Sequence, residues 1–202
     1  MSESMDVPPD VLLDQLATDL DASFPHMVQE YQHQLYTFVY RLTGNLSDAE
    51  EIVQETFTLA YYALGGYPST RVRSLKLRHW LYTIARNAFY NSVRKPMLSA
   101  FPLDDAEGSP QLEIEDEHGT QPEEECEKEE TRREISTLVN KLPEMYRHAI
   151  LLYYFEDFSY YEIASLLQQP VGTVKSNVHR ALRLLRKMPE MGLKEVRSNN
   201  GA

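Results

Sequence analysis

The stretch VGTVKSNVHRALRLLRK, Val171–Lys187, decides how the rest of the chain is read. At 100° per residue, Val174, Val178, Ala181, Leu182 and Leu185 fall on one side of a helix. An apolar stripe of that width has to pack on other helices. The opposite side carries Thr173, Ser176, Arg180, Arg183 and Lys187, with Lys175 and His179 flanking it. The segment holds five Lys or Arg residues and no acid, in a chain whose formal charge is −11. One half of the helix suits protein, and the other half suits an anion.

Just upstream, SYYEIASLLQ (Ser159–Gln168) opens with Ser159 and Glu162 at capping-box spacing. Gln168–Val171 then makes a tight turn before the basic helix. Helix, short turn and basic helix form the helix-turn-helix pattern. Such a second helix fits the major groove, its first turns reaching base edges and its later bases reaching phosphates. An amphipathic helix with a merely solvated basic face is the plain alternative. The capped start, the acid-free outer face and the two preceding helices favour DNA. Of those two, one is expected from Pro143, with Tyr146, Ile150 and Leu151 inward. The other carries the stripe Ile135, Leu138, Val139 and Leu142.

The N-terminal half is also helical by periodicity. Residues 1–23 form an acidic extension with two prolines and a short apolar pattern (Val11, Leu12, Leu16, Leu20), either a weak helix or a frayed tail. A helix is expected from Phe24 to Thr43, stopped by Gly44-Asn45. Ser47-Asp-Ala-Glu50 reads as a capping box for a second helix, with Ala49, Ile52, Val53, Thr56, Phe57, Ala60 and Leu64 inward and Gly65-Gly66 at its end. A third runs from about Leu75 to Arg94, with Leu77, Leu81, Ile84 and Ala88 inward and Pro96 at its limit.

No strand pattern occurs. The expected fold is all-α: two small helical domains, 24–96 and 131–188, joined by an acidic flexible linker, 97–130, and followed by a tail, 189–202. The linker's 34 residues reach about 110 Å fully extended.

Charge is unevenly spread. Asp104–Glu130 holds 13 acids and one base, which leaves the remainder close to neutral, and Arg71–Lys95 holds seven bases and no acid. Phosphate attraction is screened within about 8 Å at physiological salt, so local patches decide nucleic-acid affinity. The single cysteine, Cys126, excludes an internal disulfide framework and fits a reducing compartment. Its glutamate neighbours disfavour the thiolate. No run approaches the roughly 18 apolar residues of a membrane span, and the acidic N-terminus is unlike a targeting peptide. A cytoplasmic protein with no membrane partner is expected. The six histidines lack metal-ligand spacing, and there is no Gly-rich phosphate loop. We expect no enzyme, no catalytic residue, no cofactor and no metal site, with His26 and His33 as surface residues.

The segment LPEMYRHAILLYYFEDFSYYEIASLLQQPVGTVKSNVHRALRLLR closely resembles the promoter −35-binding region of extracytoplasmic-function (ECF) sigma factors, with SYYEIA, PVGTVKS and HRA in order and at the family's spacing. LTGNLSDAEEIVQETF is similar to that family's core-polymerase-binding helix, and WLYTIARNAFYNSVRK to its −10-recognition helix. The resemblance spans about residues 24–96 and 131–187. It implies a transcription initiation subunit that binds core RNA polymerase, directs it to promoter DNA and helps melt it. An anti-sigma factor is a usual partner in the family.

Carried over residue by residue, the resemblance places polymerase docking, on a coiled coil of the largest subunit, at Asp48, Glu51, Gln54 and Glu55, with Thr58 and Tyr62 on the same face. It places −10 recognition at Arg86, Asn87, Tyr90, Asn91 and Arg94, where aromatic, amide and cationic groups suit unstacked bases. Many relatives carry Asp where this chain has Asn91. Contact with the −35 element falls to Thr173, Lys175, Ser176, His179, Arg180 and Arg183. Arg71, Arg73, Lys76 and Arg78 are phosphate contacts or a solvated basic loop, and Trp80 is read as core. The linker reads as an RNA mimic in the polymerase channel, a shield for the basic helices, or a plain spacer. The rival function is a helix-turn-helix regulator that works without polymerase, which would have no use for the N-terminal half.

Overall fold

The computed structural model describes residues 9–94, 135 and 138–188. The linker 97–130 with Cys126, and the tail 189–202, lie outside the described residues. The chain falls into two compact units, Met1–Pro96 and Met97–Ala202. Every regular element among the described residues is a helix, as the periodicity predicts.

Among the described residues, five helices build the first unit: α1 Pro9–Thr18, α2 Leu20–Thr43, α3 Leu46–Gly66, α4 Ser69–Arg73 and α5 Leu77–Arg94. α3 packs on both α2 and α5. The core between them holds Leu35, Phe38 and Val39 of α2, Ala49, Ile52 and Ala60 of α3, and Leu81, Tyr82, Ala85 and Ala88 of α5. The Phe38 and Tyr82 rings meet at 5.0 Å between centroids. The buried side of α3 comprises the seven residues that its periodicity selects.

Of the two readings of the N-terminal extension, residues 9–18 take the helical one: Leu12, Leu13 and Leu16 are buried, and α1 packs on α4 and α2. Other local expectations are corrected. α2 begins at Leu20 rather than Phe24, because Asp19, in extended backbone, accepts a hydrogen bond from the Ala22 amide at 3.1 Å. Pro25 lies inside α2 and does not end it. The Ser47–Glu50 capping box is not the cap that forms: Gly44 closes α2 in the left-handed region at φ 69°, and Asn45 caps α3 by accepting from the Ser47 and Asp48 amides. The basic stretch after Pro68 contains a further helix, α4, which buries only Val72, and the third predicted helix, expected from about Leu75, runs from Leu77 to Arg94.

In the second unit Ile135 and Leu138 are helical and buried, and a single 3₁₀ turn, Val139–Lys141, follows. Then come α6 Glu144–Tyr154, α7 Tyr160–Leu167 and α8 Val171–Arg186. α8 packs on both α6 and α7. Ile150 and Leu151 are fully buried as expected, whereas Tyr146 is only half-buried. The Ser159 capping box forms in full: Ser159 Oγ accepts from the Glu162 amide at 3.3 Å, and Glu162 Oε2 accepts from the Ser159 amide at 2.8 Å.

Candidate functional site

Three candidate surfaces can be built from these helices. The first is the solvent side of α3. Asp48, Glu51 and Gln54 are exposed, and Glu55 is half-buried on the same side. Thr58 and Tyr62 continue the row, and Tyr62 is 73% exposed. An aromatic edge adjoins the carboxylates. Phe24 packs edge-on against Tyr61 at 5.1 Å, and Tyr61 donates a 2.6 Å hydrogen bond to Asp21. The face thus offers negative charge beside exposed aromatic rings, a combination suited to a basic partner with apolar anchors.

The second surface lies on α5. Asn87 and Asn91 are exposed one turn apart, and Tyr90 is half-buried. Arg86 is also half-buried; its guanidinium sits 5.6 Å from the Tyr90 ring centroid. Burial lowers its pKa from the usual arginine value. Arg94 is the last described residue of α5. The row therefore divides: the two amides are exposed, while Arg86 and Tyr90 are half-buried neighbours within cation–π range.

The neighbouring bases do not form a free loop. Arg73 pairs with Asp14 of α1 at 2.7 Å, and Ser69 Oγ donates to the Ala17 carbonyl at 3.1 Å. Arg71 lies over the Tyr67 ring at 3.9 Å, and Arg78 over Tyr82 at 5.3 Å. Lys76 is exposed, and Trp80 is half-buried against Tyr67. The pairing of α4 with α1 joins residues more than fifty positions apart, beyond the reach of any local pattern.

The third surface is the outer side of α8. Thr173, Lys175, Ser176, His179, Arg180 and Arg183 are all exposed. Val174, Val178, Ala181 and Leu185 are buried on the other side, and Leu182 is half-buried. One polar residue joins the buried side: Asn177 is 2% exposed and donates to Gln169 Oε1 at 3.3 Å. The turn between α7 and α8 is closed by backbone bonds from the Gln168 amide to the Ser165 carbonyl and from the Gln169 amide to the Ala164 carbonyl. Gln168 is left-handed there, at φ 53°. A cation on this face meets no carboxylate from its own helix, so it remains available to phosphate or base edges.

Tyr153 and Tyr160 form a pair that helical periodicity does not point to. Their rings stack at 4.6 Å with an interplanar angle of 12°, and Lys175 Nζ lies 5.5 Å from the Tyr160 centroid. The aromatic doublets Tyr153-Tyr154 and Tyr160-Tyr161 were the available signal. Among the described residues, no group of three or more His, Cys, Asp or Glu side chains could hold a metal ion, and no helix is long and apolar enough to cross a membrane.

Comparison with known proteins adds a further set of findings. Residues 27–96 match the family described as Sigma-70 region 2, and residues 132–185 match Sigma-70, region 4. The chain is 34% identical over 172 residues to the ECF RNA polymerase sigma factor SigW of Bacillus subtilis, covering 84% of this chain and 89% of that one. It is 33% identical over 182 residues to the RNA polymerase sigma-H factor of Pseudomonas aeruginosa, covering 86% and 90%. Its fold is similar to the sigma factor RpoE solved in complex with the anti-sigma factor NepR from Bartonella quintana, with TM-score 0.56, 24% identity, and 81% and 94% coverage. It is likewise similar to CnrH solved with the cytosolic domain of CnrY, with TM-score 0.58, 20% identity, and 87% and 93% coverage.

Proposed function

This chain belongs to the ECF sigma factors of RNA polymerase, and from that premise we propose a division of labour among its surfaces. It acts as the initiation subunit that binds core RNA polymerase and directs it to promoter DNA. α3 docks on the largest-subunit coiled coil through Asp48, Glu51, Gln54 and Glu55. α5 receives the −10 element, with Asn87 and Asn91 hydrogen-bonding unstacked bases and the Arg86–Tyr90 pair supporting them. The second unit reads the −35 element through Thr173, Lys175, Ser176, His179, Arg180 and Arg183 on α8.

The observation that carries this reading is the outer face of α8. Six polar or basic residues stand exposed, with no acid among them, opposite a stripe in which Val174, Val178, Ala181 and Leu185 are buried. A helix held that firmly presents its donors at fixed spacing, and sequence-specific contact needs that spacing. A regulator that works without polymerase is not favoured, because the likeness to sigma factors runs through the N-terminal half as well. The work is cytoplasmic, where polymerase and DNA are. An anti-sigma protein is counted among the partners, since relatives of this fold have been solved with such inhibitors.

Run-off transcription with purified core polymerase on genomic fragments tests the whole assignment. Discrete new start sites that depend on the protein are the expected result. Unchanged initiation, or failure to join core polymerase, rejects it.

A further inference from the structure

We infer that Tyr160, backed by Tyr153, is a positioning residue that holds Lys175 in the conformation from which it reads DNA. The inference rests on the proposed DNA-reading role of α8. Lys175 lies in the first turns of that helix, the part that reaches base edges. A free lysine there has four rotatable bonds, and fixing them on binding carries an entropic cost. Here its ammonium already lies 5.5 Å from the Tyr160 ring centroid, within cation–π range.

The ring is itself fixed. Ser159 and Glu162 form the full capping box, so Tyr160 begins α7 in a set orientation. Its face stacks on Tyr153, which comes from the last turn of α6. Three helices thus meet at one point: α6 supplies the backing ring, α7 the platform and α8 the cation. Burial, with a smaller contribution from Tyr153, pushes the Tyr160 phenol above its usual range. The platform therefore stays neutral at any physiological pH. It orients the ammonium without neutralising the charge that DNA must meet. A carboxylate in the same place would fix the lysine equally well and would also compete with phosphate for it.

The test uses the full chain assembled with core polymerase. Two duplexes serve as probes: one recovered by the wild-type holoenzyme from a random-sequence pool, and a scrambled duplex of the same composition. Tyr160→Leu is expected to weaken binding to the recovered duplex about two- to fivefold, with the scrambled duplex little changed. Tyr160→Phe keeps the ring and should bind as wild type. In a Lys175→Ala background, Tyr160→Leu should add nothing. Full additivity of the two changes overturns the platform while leaving the DNA-reading role of α8 standing. Equal losses on both duplexes for Tyr160→Phe overturn it in favour of a hydroxyl-to-phosphate contact. If Lys175→Ala alters binding to neither duplex, the DNA-reading role of Lys175 fails, and the platform with it. A second readout needs no DNA. The Lys175 ε-methylene protons should show an upfield ring-current shift in the wild type and in Tyr160→Phe, and lose it in Tyr160→Leu; unshifted resonances in the wild type overturn the inference.

Discussion

Asn177, on the buried side of α8, donates from Nδ2 to Gln169 Oε1 at 3.3 Å, so the turn and the second helix of the helix-turn-helix are joined by one side-chain hydrogen bond. The bond is asymmetric in its consequences. Asn177 is 2% exposed, whereas Gln169 is half-buried. Truncating Gln169 strips the partner from a buried donor, and that costs about 1–3 kcal/mol. Gln169→Ala should therefore destabilise the protein by ~1–2 kcal/mol in urea unfolding, and Gln169→Glu, which keeps an acceptor, by less. Equal stability of wild type and Gln169→Ala would mean that water replaces the bond.

The start of α3 offers a sharper test, because sequence and structure name different caps. Asn45 accepts from the Ser47 and Asp48 amides at 2.8 and 3.3 Å, while Ser47 lies inside the helix. Asn45→Ala should cost ~1 kcal/mol. Ser47→Ala should be neutral or slightly stabilising, since alanine is the better helix former. Thermal unfolding of the two variants separates the two readings, and the reverse order would restore the capping box.

That disagreement marks the limit of what the chain discloses locally. The stripe of α3, and Val174, Val178, Ala181 and Leu185 of α8, follow from helical period, because each buries one continuous face. The two cap-competent residues at the start of α3, Asn45 and Ser47, are two positions apart, and the choice between them depends on Gly44 leaving Asn45 in extended backbone. α1 shows the other kind of limit. Its leucines were visible, but they are buried where α1 packs on α4 and α2, and the ties to α4 run from Asp14 to Arg73 and from Ala17 to Ser69. No window of local periodicity spans such a separation. Asn177 escaped because a polar residue in an apolar stripe has no meaning until its partner across the turn is known. Of the candidate surfaces, the outer side of α8 was fully legible as an exposed face. The half-burial of Arg86 was not, because it depends on the conformation of a long side chain and its packing in the folded unit.

Reversing charge on the solvent side of α3 tests polymerase docking. Glu51 is exposed, so Glu51→Arg should leave the fold intact. Co-elution with core polymerase should weaken by on the order of tenfold, more at low salt than at high. Glu55→Arg should weaken it at least as much, but Glu55 is half-buried, so its unfolding curve must be measured alongside. Undiminished co-elution of Glu51→Arg would remove that residue from the docking face.

Arg180 lies on the outer side of α8, with Ser176 one turn before it and Arg183 one turn after. If it contacts a base edge, Arg180→Ala should weaken binding to the cognate −35 duplex by ~1–3 kcal/mol and relax discrimination at one base pair. A phosphate contact would instead lower affinity on every sequence and reduce the salt dependence by about one counterion. Competition binding at two salt concentrations tells the two apart.

Gly172 sits in the first turn of α8, and a Cβ built there would meet nothing within 4 Å. Its backbone is not in the left-handed region. Neither packing nor conformation within the protein calls for glycine at this position, and a helix generally loses stability by carrying one. Close approach of an external backbone would call for it, and the start of this helix is where DNA is proposed to lie. Gly172→Ala should then move two measurements in opposite directions. Unfolding should show a gain of about 0.5–1 kcal/mol, while affinity for promoter DNA should fall. A variant that is more stable and binds DNA as well as wild type would show that the clearance serves no contact.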